Sequence, residues 1–222
     1  MEIVLIPGFM LDRDLWRDMR PTLEQMGRVI DVDTAQDDTI AGMADRALAA
    51  MYGPALVVGF SMGGYVAREI AYRAQGKVAA LALVATSSRA SPARAVADPA
   101  RFRQLGHSAV MRSLHPDHRD EAILDRLVAM SRRLGGEAFR RQSGLARNGD
   151  TDRLGEIRCP TLVVSAAQDE LRLIDEAPEL HAGIAGSTLR VIEHCGHMIP
   201  IERPSELLAL LRGLAKTKAD TR

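Results

Sequence analysis

The stretch Val57-Val58-Gly59-Phe60-Ser61-Met62-Gly63-Gly64 decides the fold of this chain. It joins a short apolar run to a segment of helical character, so it predicts a serine on a sharp turn between a strand and a helix. Such a turn holds its serine in a strained backbone conformation, and the strand and helix pass close together on either side. Only residues without a Cβ fit beside that crossing, and Gly59 and Gly63 occupy those positions. Gly64 is positioned to let the helix pack more closely.

Ser61 has two interpretations at this point. At the N-terminus of a helix it lies in a positive potential that favours developing negative charge, which suits a nucleophile. Alternatively, the turn is an ordinary glycine-rich connection and the serine only caps the helix. The turn alone favours the first interpretation without excluding the second.

Short apolar runs alternate with helical patterns along most of the chain. The runs are short, rich in β-branched residues and not alternating, which is typical of strands buried on both faces. They cover residues 3–6, 29–32, 55–58, 79–84, 161–165 and 188–192. Apolar stripes with helical spacing lie between them: Leu15, Met19, Leu23 and Met26; Ile40, Met43, Ala47 and Met51; and Leu207, Leu210, Leu211 and Leu214. The alternation predicts an α/β fold with about six mostly parallel strands and helices on both faces.

Residues 87–158, called the insert here, break this alternation. We find no convincing strand in them, and a run of this length is too long for a loop. One helical stripe is Ile123, Leu127, Met130 and Leu134, and a second is Phe102, Leu105 and Ala109. Gly135-Gly136 and Asn148-Gly149 are expected to be breaks. We therefore predict a helical lid subdomain over one edge of the sheet, with residues 1–86 and 159–222 forming the core.

The side chains of the insert allow two further expectations. Its apolar residues are candidates for a substrate cover, although most are expected to form a small core of the insert itself: Phe102, Met111, Leu114, Met130 and Phe139. Between Arg89 and Arg158 there are 14 arginines and 9 acidic residues. This excess is compatible with an anionic substrate, but solvated helix faces explain it more simply.

Composition narrows the class of protein. The formal net charge is zero, so no strong field attracts nucleic acid or an anionic membrane. The N-terminus lacks a basic segment followed by an apolar one, and no apolar run approaches the roughly 20 residues of a membrane span. We expect a cytoplasmic protein.

Cys159 and Cys195 lack metal-ligand spacing, and their predicted positions at opposite ends of parallel strands are too far apart for a disulfide.

Four motifs resemble those of the α/β-hydrolase family, and the resemblance covers nearly the whole chain. Each follows a predicted strand: Ile6-Pro7-Gly8-Phe9, Gly59-Phe60-Ser61-Met62-Gly63-Gly64, Ser165-Ala166-Ala167-Gln168-Asp169, and Cys195-Gly196-His197 followed by Glu202-Arg203-Pro204. Their order of serine, acid and histidine is the order of that family. The chain departs from the family in beginning directly with the strand before Pro7, without the usual first two antiparallel strands. It also has Pro7-Gly8 where the family usually has His-Gly.

The resemblance implies a catalytic triad. Ser61 would be the nucleophile, His197 the general base and Asp169 the acid that orients the imidazole. His194 is the close rival of His197, but it does not match the family motif. Glu170 is the alternative acid, and Asp169 has the alternative role of a helix cap.

The resemblance also implies the rest of the mechanism. The backbone N–H groups of Phe9 and Met62 would form the oxyanion hole, each worth about 3 kcal/mol in the transition state. The side chains of both residues are candidates to line an acyl pocket. No metal or organic cofactor is implied.

The predicted function is that of a serine hydrolase of the carboxylesterase type, cleaving a small ester or lactone through an acyl-enzyme. Alternatives within the same fold are a C–C bond hydrolase and a thioesterase or lyase acting on carrier-linked acyl groups. A weakly catalytic ligand-binding relative is a further alternative. The expected partner is a small-molecule substrate, with no nucleic acid or membrane, and the oligomeric state stays open.

Overall fold

The computed structural model of the protein describes residues 1–95 and 98–217. Its strands are β1 (Glu2–Ile6), β2 (Arg28–Asp31), β3 (Ala55–Phe60), β4 (Val78–Val84), β5 (Thr161–Ala166) and β6 (Thr188–Ile192). Its α-helices are α1 (Arg20–Met26), α2 (Ile40–Ala50), α3 (Met62–Arg73), α4 (His107–Arg112), α5 (Glu121–Ser143), α6 (Glu176–Gly183), α7 (Ile199–Glu202) and α8 (Pro204–Thr217). Short 3-10 helices lie at Arg13–Trp16, Gln75–Lys77, Pro99–Arg101, Pro116–His118 and Thr151–Glu156.

The strands form one six-stranded sheet in the order β2-β1-β3-β4-β5-β6, and each pairing is parallel. The predicted α/β fold is confirmed. The chain moves outward from β1 to β2 and then returns to place β3 on the other side of β1. The strand order therefore reverses between β1 and β3, where Ile6 pairs with Gly59. Such a reversal opens a crevice at the carboxyl ends of the two strands.

Burial differs between the middle and the edges of the sheet. Every residue of β3 and β4 is buried, as expected for strands covered on both faces. The edge strands β2 and β6 are only partly buried, and Val191 of β6 is 52 % exposed. The prediction of burial on both faces is therefore wrong for the edge strands. These strands lie at the margin of the helical layers that cover the middle of the sheet.

Helices cover both faces of the sheet and create two apolar layers. One layer joins residues of α1 and α8, such as Leu23 and Leu211, to one face. The other joins α2, α3 and α6 to the opposite face, through residues such as Met43 and Val66. This three-layer arrangement holds the carboxyl ends of the central strands in a rigid frame.

The first helical stripe is interrupted in the structure. The predicted spacing of Leu15, Met19 and Leu23 holds, since all three are buried in the same layer. However, a 3-10 helix ends at Trp16 and α1 begins only at Arg20. Pro21 lies in the first turn of α1, where its missing N–H costs no hydrogen bond. The proline thus starts a new helix instead of extending the earlier turn.

The insert is helical, with α4 and α5 as its main elements. Its longer stripe forms α5, which changes direction at Gly135, where φ is +75°. The second predicted stripe is wrong: α4 begins at His107, so Phe102 and Leu105 lie outside it. The division of the chain into a core and a lid stays a prediction.

Most of the apolar side chains of the insert do not form a separate core. Leu114 and Met130 belong to the apolar layer on the α1–α8 face of the sheet. Phe102 and Phe139 stack at 4.2 Å between ring centroids, in a small cluster that also contains Met10 of the core. The expectation of an independent small core is therefore wrong, because the insert packs its apolar face against the sheet layer.

Ion pairs account for several of the arginines of the insert. Arg126 pairs with Asp18, and Arg133 pairs with Asp12 at 2.8 Å. Both acids lie in the segment before α1, so these pairs attach the insert to the core. Arg126 is buried, whereas Arg133 is half exposed, and an exposed pair such as Arg133–Asp12 contributes little free energy by itself. Within the described residues, no helix has the length and apolar character required to cross a membrane.

Candidate functional site

The turn between β3 and α3 has the strained geometry that the sequence predicts. Ser61 has φ 51° and ψ −113°, a conformation that L-residues rarely adopt. Its backbone is held by neighbours on two sides. The Ser61 N–H donates to the carbonyl of Val84 at 2.9 Å, and the hydroxyl of Thr86 donates to the Ser61 carbonyl at 2.7 Å. The surrounding structure thus imposes the strain that raises the serine above the sheet.

The glycines beside the turn leave no room for a side chain. A Cβ on Gly59 would lie 2.5 Å from the carbonyl oxygen of Gly63 and 2.6 Å from the Cβ of Ala67. A Cβ on Gly63 would lie 2.3 Å from the carbonyl oxygen of Ile6, at the end of β1. A Cβ on Gly64 would lie 2.3 Å from the hydroxyl oxygen of Thr86. The crowding predicted for this crossing is confirmed.

Ser61, His197 and Asp169 form a continuous chain of hydrogen-bonding groups. The Ser61 hydroxyl lies 2.9 Å from Nε2 of His197, and Nδ1 of His197 lies 2.7 Å from Oδ2 of Asp169. The three residues follow β3, β6 and β5, whose carboxyl ends share one edge of the sheet. His197 is only 3 % exposed and its ring packs against Phe60 at 5.1 Å between centroids. The structure therefore brings together the three side chains singled out from the sequence.

Glu170 and His194, the alternatives to Asp169 and His197, face other residues. Glu170 points toward Arg119, with 3.3 Å between the charged atoms. The ring of His194 faces His115 at 6.0 Å between centroids. Asp169 is not a helix cap, because the next helix, α6, begins only at Glu176. The two oxygens of Asp169 have different partners. Oδ2 faces His197, while Oδ1 accepts from the backbone N–H groups of the two residues after Glu170, Leu171 and Arg172.

The pKa of Asp169 is lowered. Burial of the side chain opposes this shift, but the charge and ring N–H of His197, the Leu171 N–H and the charge of Arg172 together outweigh burial. Because the pKa of Asp169 is lower in the folded protein than in the unfolded chain, its ionised carboxylate stabilises the folded state at any pH above the ordinary pKa of about 3.9. This contribution is lost only as the pH falls through the lowered value. Asp169 therefore stays ionised at neutral pH.

The loop after β1 lies directly beside the serine. A Cβ on Gly8 would lie 3.2 Å from the Cβ of Ser61, so Gly8 allows this close approach. In the part of the chain that the structure describes, the backbone N–H groups of Phe9 and Met62 donate to no other residue. Unpaired donors near a serine hydroxyl suit an oxyanion hole. That role stays a prediction.

Gln142 supports this loop, and sequence reasoning missed it. Its Oε1 accepts from the Met10 N–H at 2.7 Å, and its amide donates to the carbonyl of Thr34 at 3.1 Å. Met10 has a positive φ of 55°, so its conformation needs such a support. Gln142 is buried although it is polar, and it lies near the end of α5, beyond the break predicted at Gly135-Gly136. It braces the loop that carries Pro7-Gly8 in this chain.

Gln168 is a second missed residue. Its N–H donates to the carbonyl of Cys195 at 3.1 Å, and its side-chain oxygen accepts from the Cys195 N–H at 3.0 Å. The segment that carries Asp169 is thereby fastened to the loop that carries His197. In the sequence, its supporting role was indicated by its position directly before the candidate acid, Asp169.

Cys195 is expected to be chemically inert in the folded protein. It is fully buried, and burial raises the pKa of its thiol, with a further contribution from the charge of Glu202. Iodoacetamide at neutral pH should modify the partly exposed Cys159 first and reach Cys195 only after denaturation. Mass spectrometry of native and denatured samples measures both sites. Rapid native modification of Cys195 would contradict the packing described for the His197 loop.

A parallel sheet with a serine on a strand–helix turn, and an acid and a histidine after later strands, defines a hydrolase of the α/β class. The model of the alpha/beta hydrolase family matches residues 3–210. The chain belongs to this family.

Among named relatives, the chain is similar to the pimeloyl-[acyl-carrier protein] methyl ester esterase of Neisseria meningitidis serogroup C. The two are 28 % identical over 235 residues, covering 95 % of this chain and 92 % of the relative. The enol-lactonase of Burkholderia xenovorans LB400 has a TM-score of 0.82 at 22 % identity, covering 96 % of this chain and 90 % of that one. A thermophilic esterase from Thermogutta terrifontis has a TM-score of 0.78 at 24 % identity, covering 98 % and 90 %. The two solved structures share the fold, and the family match together with the similarity to the methyl ester esterase indicates an esterase-like hydrolase.

Proposed function

We propose that this protein hydrolyses small carboxylic esters or lactones through an acyl-enzyme on Ser61. The observation that carries the proposal is the hydrogen-bonded chain from Ser61 through His197 to Asp169. A serine hydroxyl is a weak nucleophile by itself and requires a base within hydrogen-bond distance. Nε2 of His197, at 2.9 Å, meets this requirement.

The steps follow from the positions of the three side chains. His197 accepts the hydroxyl proton through Nε2 as Ser61 attacks the ester carbonyl, and Asp169 stabilises the imidazolium that forms. His197 then gives this proton to the departing alcohol, which leaves an acyl group on Ser61. A water molecule deprotonated by His197 attacks the acyl-enzyme, the bond from the Ser61 oxygen to the acyl carbon breaks, and His197 returns the proton to that oxygen as the acid is released. With a lactone, alcohol and acid are parts of one product.

The oxyanion of each tetrahedral intermediate would be held by the N–H groups of Phe9 and Met62. The unpaired state of both donors and the close approach of Gly8 to Ser61 support this assignment. The N-terminus of α3 adds a favourable potential at the same point. The donors are fixed before substrate binds, because Gln142 braces one loop and the glycine crossing fixes the other.

A carrier-linked ester is the second candidate substrate. It is favoured by the likeness to a methyl ester esterase whose name specifies an acyl-carrier protein. The arginine excess of the insert would then face an acidic carrier. Against this, Arg126 and Arg133 already form ion pairs with core carboxylates. We therefore place free small esters first.

A panel of substrates tests the proposal. Purified protein is assayed on p-nitrophenyl esters from acetate to dodecanoate, on an enol-lactone, and on a methyl ester presented free and on a carrier protein. Covalent labelling by a fluorophosphonate reports an activated serine independently of substrate choice. We expect labelling of Ser61 and hydrolysis of short esters. Labelling without turnover of esters and lactones would favour C–C bond hydrolysis, whereas no labelling and no turnover would refute the proposal.

The role of Asp169 gives a separate prediction. Asp169→Asn removes the charge that favours the imidazolium and the correct tautomer of His197, so kcat is expected to fall by about 10⁴-fold. Glu170→Asn is the matched control, because Glu170 is an adjacent acid that pairs with Arg119 instead. Steady-state kinetics on the best ester measures both. Similar losses of kcat in the two variants would contradict the assignment of Asp169, rather than Glu170, as the acid that orients His197.

A further inference from the structure

Glu202 lies in α7 as a carboxylate whose side chain has no solvent exposure. Burying a carboxylate is costly unless hydrogen bonds satisfy its oxygens. One oxygen, Oε2, accepts from the N–H of Gly196 at 3.1 Å and that of His115 at 2.9 Å, and lies 2.9 Å from Nδ1 of His118. The other, Oε1, accepts from the N–H of Met198 at 3.0 Å. Both oxygens are therefore engaged.

Two of these donors flank His197 in sequence. Gly196 precedes the histidine and Met198 follows it, so one carboxylate holds the backbone on both sides of His197. The His197 loop also meets the acid loop, through the bonds between Cys195 and Gln168 and through the contact of His197 with Asp169. The position of the imidazole between Ser61 and Asp169 thus depends on where Glu202 holds the loop.

The other two donors belong to the insert. His115 and His118 bind Oε2 from the segment before α5. The same segment contacts the loop directly, because a Cβ on Gly196 would lie 2.5 Å from the His115 nitrogen. Ser113 adds a carbonyl that accepts from the Met198 N–H at 3.2 Å. Glu202 therefore joins the His197 loop and the insert into one unit.

We propose that Glu202 is a positioning residue that sets the distance and direction of His197 toward Ser61 by holding both neighbouring backbone amides against the insert. The proposal rests on the proposed function, in which His197 is the general base. A carboxylate suits this position because two acceptor oxygens face four donors. A glutamine would keep one acceptor oxygen and turn an N–H₂ group toward backbone N–H groups that need an acceptor.

Glu202→Gln tests the proposal, with Glu206→Gln as matched control. Glu206 lies four residues later on an exposed part of α8, so the same chemical change there leaves the loop untouched. We expect kcat to fall by about 10- to 100-fold in Glu202→Gln, by analogy with the loss seen when a partner that orients a metal-bound histidine is removed, with KM little changed. Glu206→Gln should match the wild type. Equal kcat values in the two variants, with Glu202→Gln folded, would overturn the proposal.

A spectroscopic measurement separates positioning from general destabilisation. The proton on Nδ1 of His197 in its 2.7 Å hydrogen bond to Asp169 should give a far-downfield proton resonance in the folded wild type. Glu202→Gln is expected to shift or broaden this resonance at a temperature where circular dichroism shows a native fold. An unmoved resonance in folded Glu202→Gln would overturn the proposal.

A second variant covers the case in which Glu202→Gln does not fold. His118→Ala removes one donor at a partly exposed position and keeps the buried carboxylate with its backbone partners. Oε2 then loses one of the two donors that anchor Glu202 to the insert, so a lowered kcat and a shifted resonance are expected, and wild-type values would overturn the proposal.

Failure of the inference is distinguishable from failure of the proposed function. If the wild type neither turns over esters nor reacts with the fluorophosphonate, the proposed function fails. The resonance still reports whether Glu202 controls His197. If the wild type reacts and Glu202→Gln reacts at the same rate as Glu206→Gln, only the inference fails.

Discussion

Ser61→Ala is expected to abolish ester hydrolysis while leaving the fold intact. The change deletes one oxygen, which is the atom proposed to attack the substrate, and removal of a serine nucleophile costs about 10⁶-fold in kcat. The fold should survive because alanine fits the same backbone space and the Ser61 backbone keeps its bonds to Val84 and Thr86. The loss of stability should stay near the roughly 1 kcal/mol of one hydrogen bond.

Activity and thermal unfolding are measured together on this variant, with Ser205→Ala as control. Ser205 is an exposed serine at the start of α8, so its loss should change neither quantity. Two results would assign Ser61 a structural role instead. One is a large fall in the unfolding temperature, and the other is residual activity that follows the folded fraction.

Gly63→Val is expected to prevent formation of the native turn. Its Cβ would lie 2.3 Å from the carbonyl oxygen of Ile6 and 2.7 Å from that of Pro7. Both atoms are backbone at the end of β1, so they move only if the strand shifts. Overpacking of a side chain typically costs about 1–3 kcal/mol, and a clash with strand backbone should exceed that range. Soluble yield, unfolding temperature and fluorophosphonate labelling are all expected to fall sharply.

Gly59→Val should behave in the same way, because its Cβ meets the Gly63 carbonyl and Ala67. Gly76→Val is the control, since nothing lies within 4 Å of the position where its Cβ would be. It lies in an exposed 3-10 helix and should fold and react normally. Wild-type activity in Gly59→Val or Gly63→Val would contradict the crowding argument for this turn.

Local sequence patterns predicted the strands well. Buried parallel strands require continuous runs of branched apolar residues, and all six observed strands overlap the predicted runs. The turn at Ser61 was also predictable, because a steric requirement for glycine appears directly in the sequence. Helix boundaries were less predictable. The break before α1 and the late start of α4 arise from packing and proline placement rather than from apolar spacing.

The support around the candidate site was not predictable from the sequence. Gln142 and Gln168 are polar residues without a distinctive local pattern, and Glu202 was only part of a motif. Their significance comes from contacts between segments far apart in the chain. Gln142 lies 132 residues from Met10, and Glu202 lies 87 residues from His115. Such contacts depend on how the insert packs against the sheet, which periodicity does not describe.

The sequence by itself determined the α/β fold, the six parallel strands, the strained turn and the order of Ser61, Asp169 and His197. These features depend on local sterics and on the rule that carboxyl ends of parallel strands share one edge. Only the tertiary structure shows that Asp169 lies at hydrogen-bond distance from His197 while Glu170 faces Arg119, because two adjacent carboxylates differ in where the loop directs them. It also decided that Glu202 holds the His197 loop. A buried carboxylate takes its role from the donors that packing brings to it.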